Sequence, residues 1–100
     1  MYARLVSGRL KTEMLDDAIQ LWRESVAPSA RRITGFHSAR LMVDRKTGKV
    51  VSLGLWEKEA DYRNSANWNS MQLEKFASMF IDPPAVDGYE VAAETSSSFA

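Results

Sequence analysis

The chain contains no cysteine, and that one absence removes disulfides, thiolate nucleophiles and thiolate metal sites together. It suits a reducing compartment, and the cytoplasm is the expected location. One histidine, His37, with no carboxylate cluster beside it is too few ligands for a zinc or non-haem iron centre, so no metal is expected. The five glycines are scattered and build neither a phosphate loop nor a dinucleotide fingerprint, and no Gly-x-Ser-x-Gly elbow occurs. Hydrolysis, phosphoryl transfer and nicotinamide-linked hydride transfer thus lose their usual sequence support. No apolar run approaches the roughly 20 residues of a membrane helix, and no basic start, apolar block and cleavage site open the chain, so neither a membrane nor a secretory signal is expected. Thirteen basic and thirteen acidic side chains cancel, which leaves no global field to draw the protein to nucleic acid or anionic lipid.

What is present is an ordinary globular composition, 45% hydrophobic and 26% charged, which calls for a packed core. One hundred residues fill one domain, expected over 1–95, with a flexible tail at 96–100. Ten basic and five acidic groups in the first fifty residues face three and eight in the last fifty, an asymmetry that suits self-association through complementary patches.

Tyr2 to Leu10 is rich in strand formers, with Gly8 at a plausible bend. From Glu13 the period changes. Leu15, Ile19, Trp22 and Val26 recur at helical spacing, Thr12 is the expected cap, and Pro28 is expected to kink or end the helix. Phe36–Val43 and Val50–Trp56 flank a polar connection, residues 44–49, that reads as a hairpin. Strict alternation puts His37, Ala39, Leu41 and Val43 on one face and Phe36, Ser38, Arg40 and Met42 on the other. In the partner strand Val51, Leu53 and Leu55 oppose Val50, Ser52, Gly54 and Trp56. Both faces of the hairpin therefore carry apolar bulk, whereas a sheet with one wet face should alternate apolar with polar. The second face is expected to meet a second copy of the chain.

Residues 57–67 are polar and helix-compatible. Leu73, Phe76, Ala77 and Phe80 then mark a further helical stripe with Ser70 as its expected cap, and Val86–Ala93 reads as a last strand after Asp82-Pro83-Pro84. The order β-α-β-β-α-β predicts an α+β, ferredoxin-like fold: a four-stranded antiparallel sheet with helices on one face.

Gly35-Phe36, Asp44-Arg45-x-Thr47-Gly48-Lys49-Val50, Trp56-Glu57-x-Glu59-Ala60 and Pro83-Pro84 ahead of Tyr89-Glu90-Val91 resemble the antibiotic biosynthesis monooxygenase-like members of the dimeric α/β-barrel superfamily over roughly residues 2–93. The resemblance implies a homodimer whose sheets face each other and a ligand cleft between sheet and helices in each subunit. It also implies several chemistries on one scaffold, including cofactor-free quinone-forming oxygenation and haem degradation.

Asn64 and Trp68, four residues apart, share a face of a continuous helix, where an amide beside an indole could orient an aromatic substrate. The quinone-forming relatives use an Asn and a Trp in this region, which makes this pair the expected catalytic residues. Those relatives also use a Tyr and an Arg further on. Position 74 is Glu and no Arg follows Arg63, so half of that set is missing. Trp22 and Trp56 are expected to wall the ligand pocket, with Tyr62 offering a hydroxyl. His37 is the only side chain whose ordinary pKa suits proton transfer near neutrality, or a haem ligand, although a lone His on a strand is more often structural. Arg40, on a largely apolar face, is expected to pair across the dimer. The resulting expectation is a cofactor-independent, monooxygenase-like homodimer acting on a small aromatic or quinol-like compound without metal or flavin. A non-catalytic small-ligand-binding or scaffold homodimer is the alternative, and haem binding a third.

Overall fold

In the computed structural model, which describes residues 1–97, strand β1 (Tyr2–Arg9) leads through a 3₁₀ turn (Thr12–Met14) into helix α1 (Leu15–Leu21), a π-helical turn (Trp22–Val26) and helix α2 (Ala27–Ala30). Strands β2 (Phe36–Val43) and β3 (Lys49–Trp56) follow, then helices α3 (Glu59–Asn64) and α4 (Ala66–Phe76), and finally strand β4 (Ala85–Glu90). The four strands form one sheet in the order β2-β3-β1-β4, antiparallel at every junction. That is the ferredoxin-like arrangement, with the helices on one face. Of the tail expected at 96–100, residues 98–100 lie outside the described residues.

The β2–β3 hairpin forms where its turn chemistry puts it. The Asp44 carboxylate accepts the Lys46 N–H at 3.0 Å, and Gly48 takes a φ of 80°, which a Cβ would disfavour. Gly48 also lies against the chain beyond β1, where its carbonyl accepts the Leu10 N–H at 2.8 Å.

Strict alternation fails at one place. Pairing runs from Phe36 opposite Trp56 to Ser38 opposite Leu55, so β2 carries one extra residue. This bulge turns Phe36 to the helix side with Ala39, Leu41 and Val43 and leaves His37 exposed, the reverse of the expected assignment of those two residues.

Burial of Leu15, Ala18 and Val26 follows the helical period of the first helix, with Ile19 and Trp22 half-buried. Thr12 does not cap it; it opens the 3₁₀ turn, and no side chain caps that turn or α1. Pro28 is accommodated because the π-helical turn precedes it: the Ala27 N–H reaches back to the Trp22 carbonyl, and the proline falls in the first turn of the short α2, where a missing donor is tolerated. Ser70 likewise is no cap. It lies inside α4, which begins after Ser65 and buries Gln72 and Phe76, while Ala77 of the expected stripe is exposed. β4 ends three residues before the expected Ala93, and the Val91 N–H then donates to the Met1 carbonyl.

The core, built on Leu10, Leu15, Ala18, Val26, Val50 and Phe76, lies between the sheet and the helices. Among the described residues no element covers the opposite face of the sheet. Paired residues on that face include Leu5 with Leu53, Ala3 with Leu55 and Val51 with Met42, and Met42 and Tyr89 are among the most exposed large side chains.

Candidate functional site

Between sheet and helices the packing opens into two small adjoining cavities, of about 60 and 40 Å³, which share Val6, Ser52, Asn69 and Gln72 as walls. The larger is apolar, with Trp22, Leu41 and Phe76 among its lining residues. The smaller is bounded by Arg4, Gly54, Trp56 and Trp68. Among the described residues no carboxylate lines either one.

Arg4 is the unusual wall. It alternates with Val6 on the helix-facing side of β1 and is only 5% exposed. Its guanidinium donates to Ser65 Oγ at 2.9 Å and to the Tyr62 carbonyl at 3.1 Å. It also lies 4.5 Å from the centre of the Tyr62 ring and 5.0 Å from that of Trp56, within cation–π range. Among the described residues it forms no ion pair. The Tyr62 carbonyl it bonds belongs to the last turn of α3, the negative end of that helix. Burial pushes its pKa below the usual arginine value, and Tyr62 opposes that shift; the group stays charged at physiological pH.

Trp56 closes β3 at 1% exposure, and its ring leans back along its own strand over Gly54, where an added Cβ would stand 2.7 Å from the indole. Around it stand Phe36, Tyr62 and Trp68, edge-on at 5.9, 6.2 and 6.3 Å between ring centres. Its Nε1–H is buried without an acceptor, the only such side-chain group among the described residues.

The structure brings together four of the six residues singled out in the sequence. Trp22 walls the larger cavity and donates from Nε1 to Ser52 Oγ at 3.2 Å. Trp68 walls the smaller and donates to Ser29 Oγ at 2.8 Å. Trp56 lies between Trp68 and Tyr62, and the Tyr62 hydroxyl reaches over Gly88 of β4. Asn64 and His37 are elsewhere. Asn64 is the exposed last residue of α3, because the chain leaves helical geometry at Ser65 (φ −85°, ψ 1°) and the helix that carries Trp68 starts afresh. The amide that lines the cleft beside Trp68 is Asn69, with Gln72 one turn further on. His37 is exposed on the bulge, its Nδ1 3.1 Å from the Glu57 carboxylate, and lines neither cavity.

Arg4, Ser65, Asn69 and Gln72 were not visible as site residues in the sequence. The phase of β1 was the available signal for Arg4, since it shares a strand face with Val6. Nothing local marks Ser65. Among the described residues no group of three His, Asp or Glu side chains lies close enough to hold a metal ion, and no helix is long and apolar enough to cross a membrane.

No family model matches the chain. Among curated proteins it is similar to the uncharacterized proteins MT2634 and Rv2557 of Mycobacterium tuberculosis, at 29% identity to each over 93 residues. That stretch is 93% of this chain and 42% of each relative, so the chain spans less than half the length of the curated proteins it matches. Among solved structures it is similar to the monooxygenase from the gene ActVA-Orf6 of Streptomyces coelicolor, determined with the ligand nanaomycin D. The TM-score is 0.78 at 22% identity, covering 97% of this chain and 92% of that one. It is also similar to an antibiotic biosynthesis monooxygenase (TM-score 0.73, 19% identity, 93% and 100% covered) and to Rv0793 of M. tuberculosis (TM-score 0.72, 16% identity, 95% and 98% covered). The four antiparallel strands, their order and the helices on one face are thus shared with these structures, and the fold of this chain is that of the antibiotic biosynthesis monooxygenase-like proteins.

Proposed function

We propose that the protein is a cofactor-independent, monooxygenase-like homodimer that takes a small aromatic or quinol-like compound into the cleft between sheet and helices. The observation that carries this reading is the composition of the cleft: Trp22, Trp56 and Trp68 supply aromatic walls, Asn69 and Gln72 supply amides, and no carboxylate lines it among the described residues. Such a lining favours a flat, electron-rich guest. An ionised ring carbon reacts with dioxygen without help from a metal, forming a C–O bond to give a hydroperoxide that loses water to leave a carbonyl. The protein's part would be to stabilise the anion and exclude water. Trp68 and Asn69 are the proposed orienting residues, and Trp22 and Trp56 the walls, with Tyr62 packed behind Trp56. The homodimer is part of the same proposal, supported by the uncovered sheet face with Leu5, Met42, Val51, Leu53, Leu55 and Tyr89.

Oxygen uptake with a single-ring dihydroquinone tests it. The expected result is uptake by the wild type and its loss in Trp68→Ala and Asn69→Ala. Absence of both uptake and aromatic binding overturns the reading. One observation favours ligand binding without turnover: the cleft lining contains no histidine or carboxylate to serve as a general base. Aromatic binding without uptake would establish that alternative.

A further inference from the structure

We infer that Arg4 and the Trp56 indole N–H together bind the ionised oxygen of a single-ring phenol, a substrate class for the cleft that rests on the reading above. Two independent features meet there. Arg4 is a cation that is 5% exposed and has no carboxylate partner among the described residues, with only two hydrogen bonds from its five N–H groups. A buried charge is held at a free-energy penalty that an arriving anion relieves. Trp56 Nε1 is a buried donor with no acceptor at all. Both residues bound the 40 Å³ cavity, and the Arg4 guanidinium carbon lies 5.0 Å from the centre of the indole. The indole nitrogen itself has essentially no accessible surface, so one oxygen accepts from both once the ring tips its N–H edge into that cavity.

Size and charge set the rest of the ligand. The adjoining apolar cavity of about 60 Å³ has Trp22, Leu41 and Phe76 to receive a ring, and Val6 and Ser52 belong to both cavities. These volumes are below even the roughly 150 Å³ of a cavity that takes benzene, so one ring enters only as the walls give way and a larger guest is excluded. With no carboxylate among the described residues of the lining, nothing there repels an anion. With no general base there, the guest must ionise by its own acidity, and a nearby cation lowers the pKa of a phenol.

The test is binding of 4-nitrophenol, whose ionised and neutral forms absorb differently, measured beside 4-nitroanisole, its uncharged ether. The wild type should lower the phenol's apparent pKa and bind the ether at least about tenfold more weakly, as loss of a charge-assisted hydrogen bond requires. Trp56→Phe keeps an aromatic ring and deletes an N–H that bonds to nothing in the protein. It should stay folded with a melting temperature lowered by about 5–10 °C, as the smaller ring leaves a gap in the core, and bind the phenolate about tenfold more weakly. Arg4→Lys, which keeps the charge and loses the planar fork, should also weaken it. Sodium formate separates a site for any free oxyanion from one that needs the ring: it should not displace the phenolate at about a hundredfold excess, a margin set by burial of the ring. Equal binding of phenol and ether, an unmoved pKa, undiminished binding by folded Trp56→Phe, or ready displacement by formate overturns the inference. Failure of the two proposals is distinguishable. Phenolate binding without oxygen uptake from any quinol retires the oxygenase reading and leaves this site standing. Uptake undiminished in Trp56→Phe does the opposite.

Discussion

Replacing Ser65 by alanine deletes one oxygen from the interior, and the structure fixes what that oxygen does. Ser65 is 1% exposed; its Oγ accepts from Arg4 at 2.9 Å and donates to the Tyr62 carbonyl at 2.6 Å. The first bond has a charged donor that water does not readily reach, so its loss leaves a buried guanidinium N–H unpaired. A hydrogen bond to a charged group contributes about 1.5–3 kcal/mol, and stranding the charged partner puts Ser65→Ala near 2 kcal/mol of destabilisation. For a chain of this size that corresponds to a fall in Tm of about 10 °C. The assay is urea unfolding followed by tryptophan fluorescence at one fixed protein concentration, because self-association makes apparent stability concentration-dependent. Ser29→Ala is the comparator. It removes the acceptor of a neutral donor, Trp68 Nε1 at 2.8 Å, and should cost about 1 kcal/mol. Arg4→Met should reduce the effect of Ser65→Ala, with a coupling of about 1 kcal/mol or more in the double-mutant cycle. A Ser65→Ala penalty below about 0.5 kcal/mol, or additivity with Arg4→Met, would refute the claim that this bond holds a desolvated charge.

Leu53→Arg sets a charge at the middle of the uncovered sheet face, opposite Leu5 and Arg40; like charges across a two-fold interface cost several kcal/mol, so sedimentation equilibrium should show dimer dissociation at least about a hundredfold easier with the circular dichroism spectrum unchanged. A wild type that sediments as a monomer at micromolar concentration would refute that interface. Gly35→Ala should lose about 1–3 kcal/mol in thermal unfolding, because position 35 has a φ of 77° and an added Cβ would run into the Asp61 carboxylate. Asp44 is held below its ordinary carboxylate pKa of 3.8, chiefly by the Lys46 N–H. The folded pKa is therefore the lower one, so its support of the hairpin is complete above the ordinary value and lost as pH falls through the depressed one. Hydrogen exchange at the Lys46 amide should lose protection over that range in the wild type and show no such dependence in Asp44→Asn.

Much of the architecture could be read from local chemistry. Asp44 and Gly48 set the hairpin by turn preferences that act over a few residues, and Leu15, Ala18 and Val26 follow the helical period that burial demands. The misreadings share a cause, which is that periodicity assumes an uninterrupted element. One extra residue at His37 reversed the facing of the start of β2, and one non-helical residue, Ser65, separated Asn64 from Trp68 and left Asn69 as the amide in the cleft. Arg4 was hidden for a different reason. A basic residue in a strand reads as solvent-facing, and its burial is compensated by groups far along the chain, the Tyr62 carbonyl, Ser65 and the Tyr62 and Trp56 rings.

The roof of the cleft is joined by side chains that are simple to exchange. Ser25 Oγ donates to Gln72 Oε1 at 2.8 Å and accepts from Lys75 at 2.7 Å, and Ser29 takes the Trp68 indole; all of these link the first helical segment to α4. None of the four polar partners, Ser25, Ser29, Gln72 and Lys75, belongs to the sheet, whose ladder carries the hairpin and the uncovered face. For protein engineering this separates two problems. A library confined to those four positions would vary the height of the roof while the floor and the uncovered sheet face keep their native sequence.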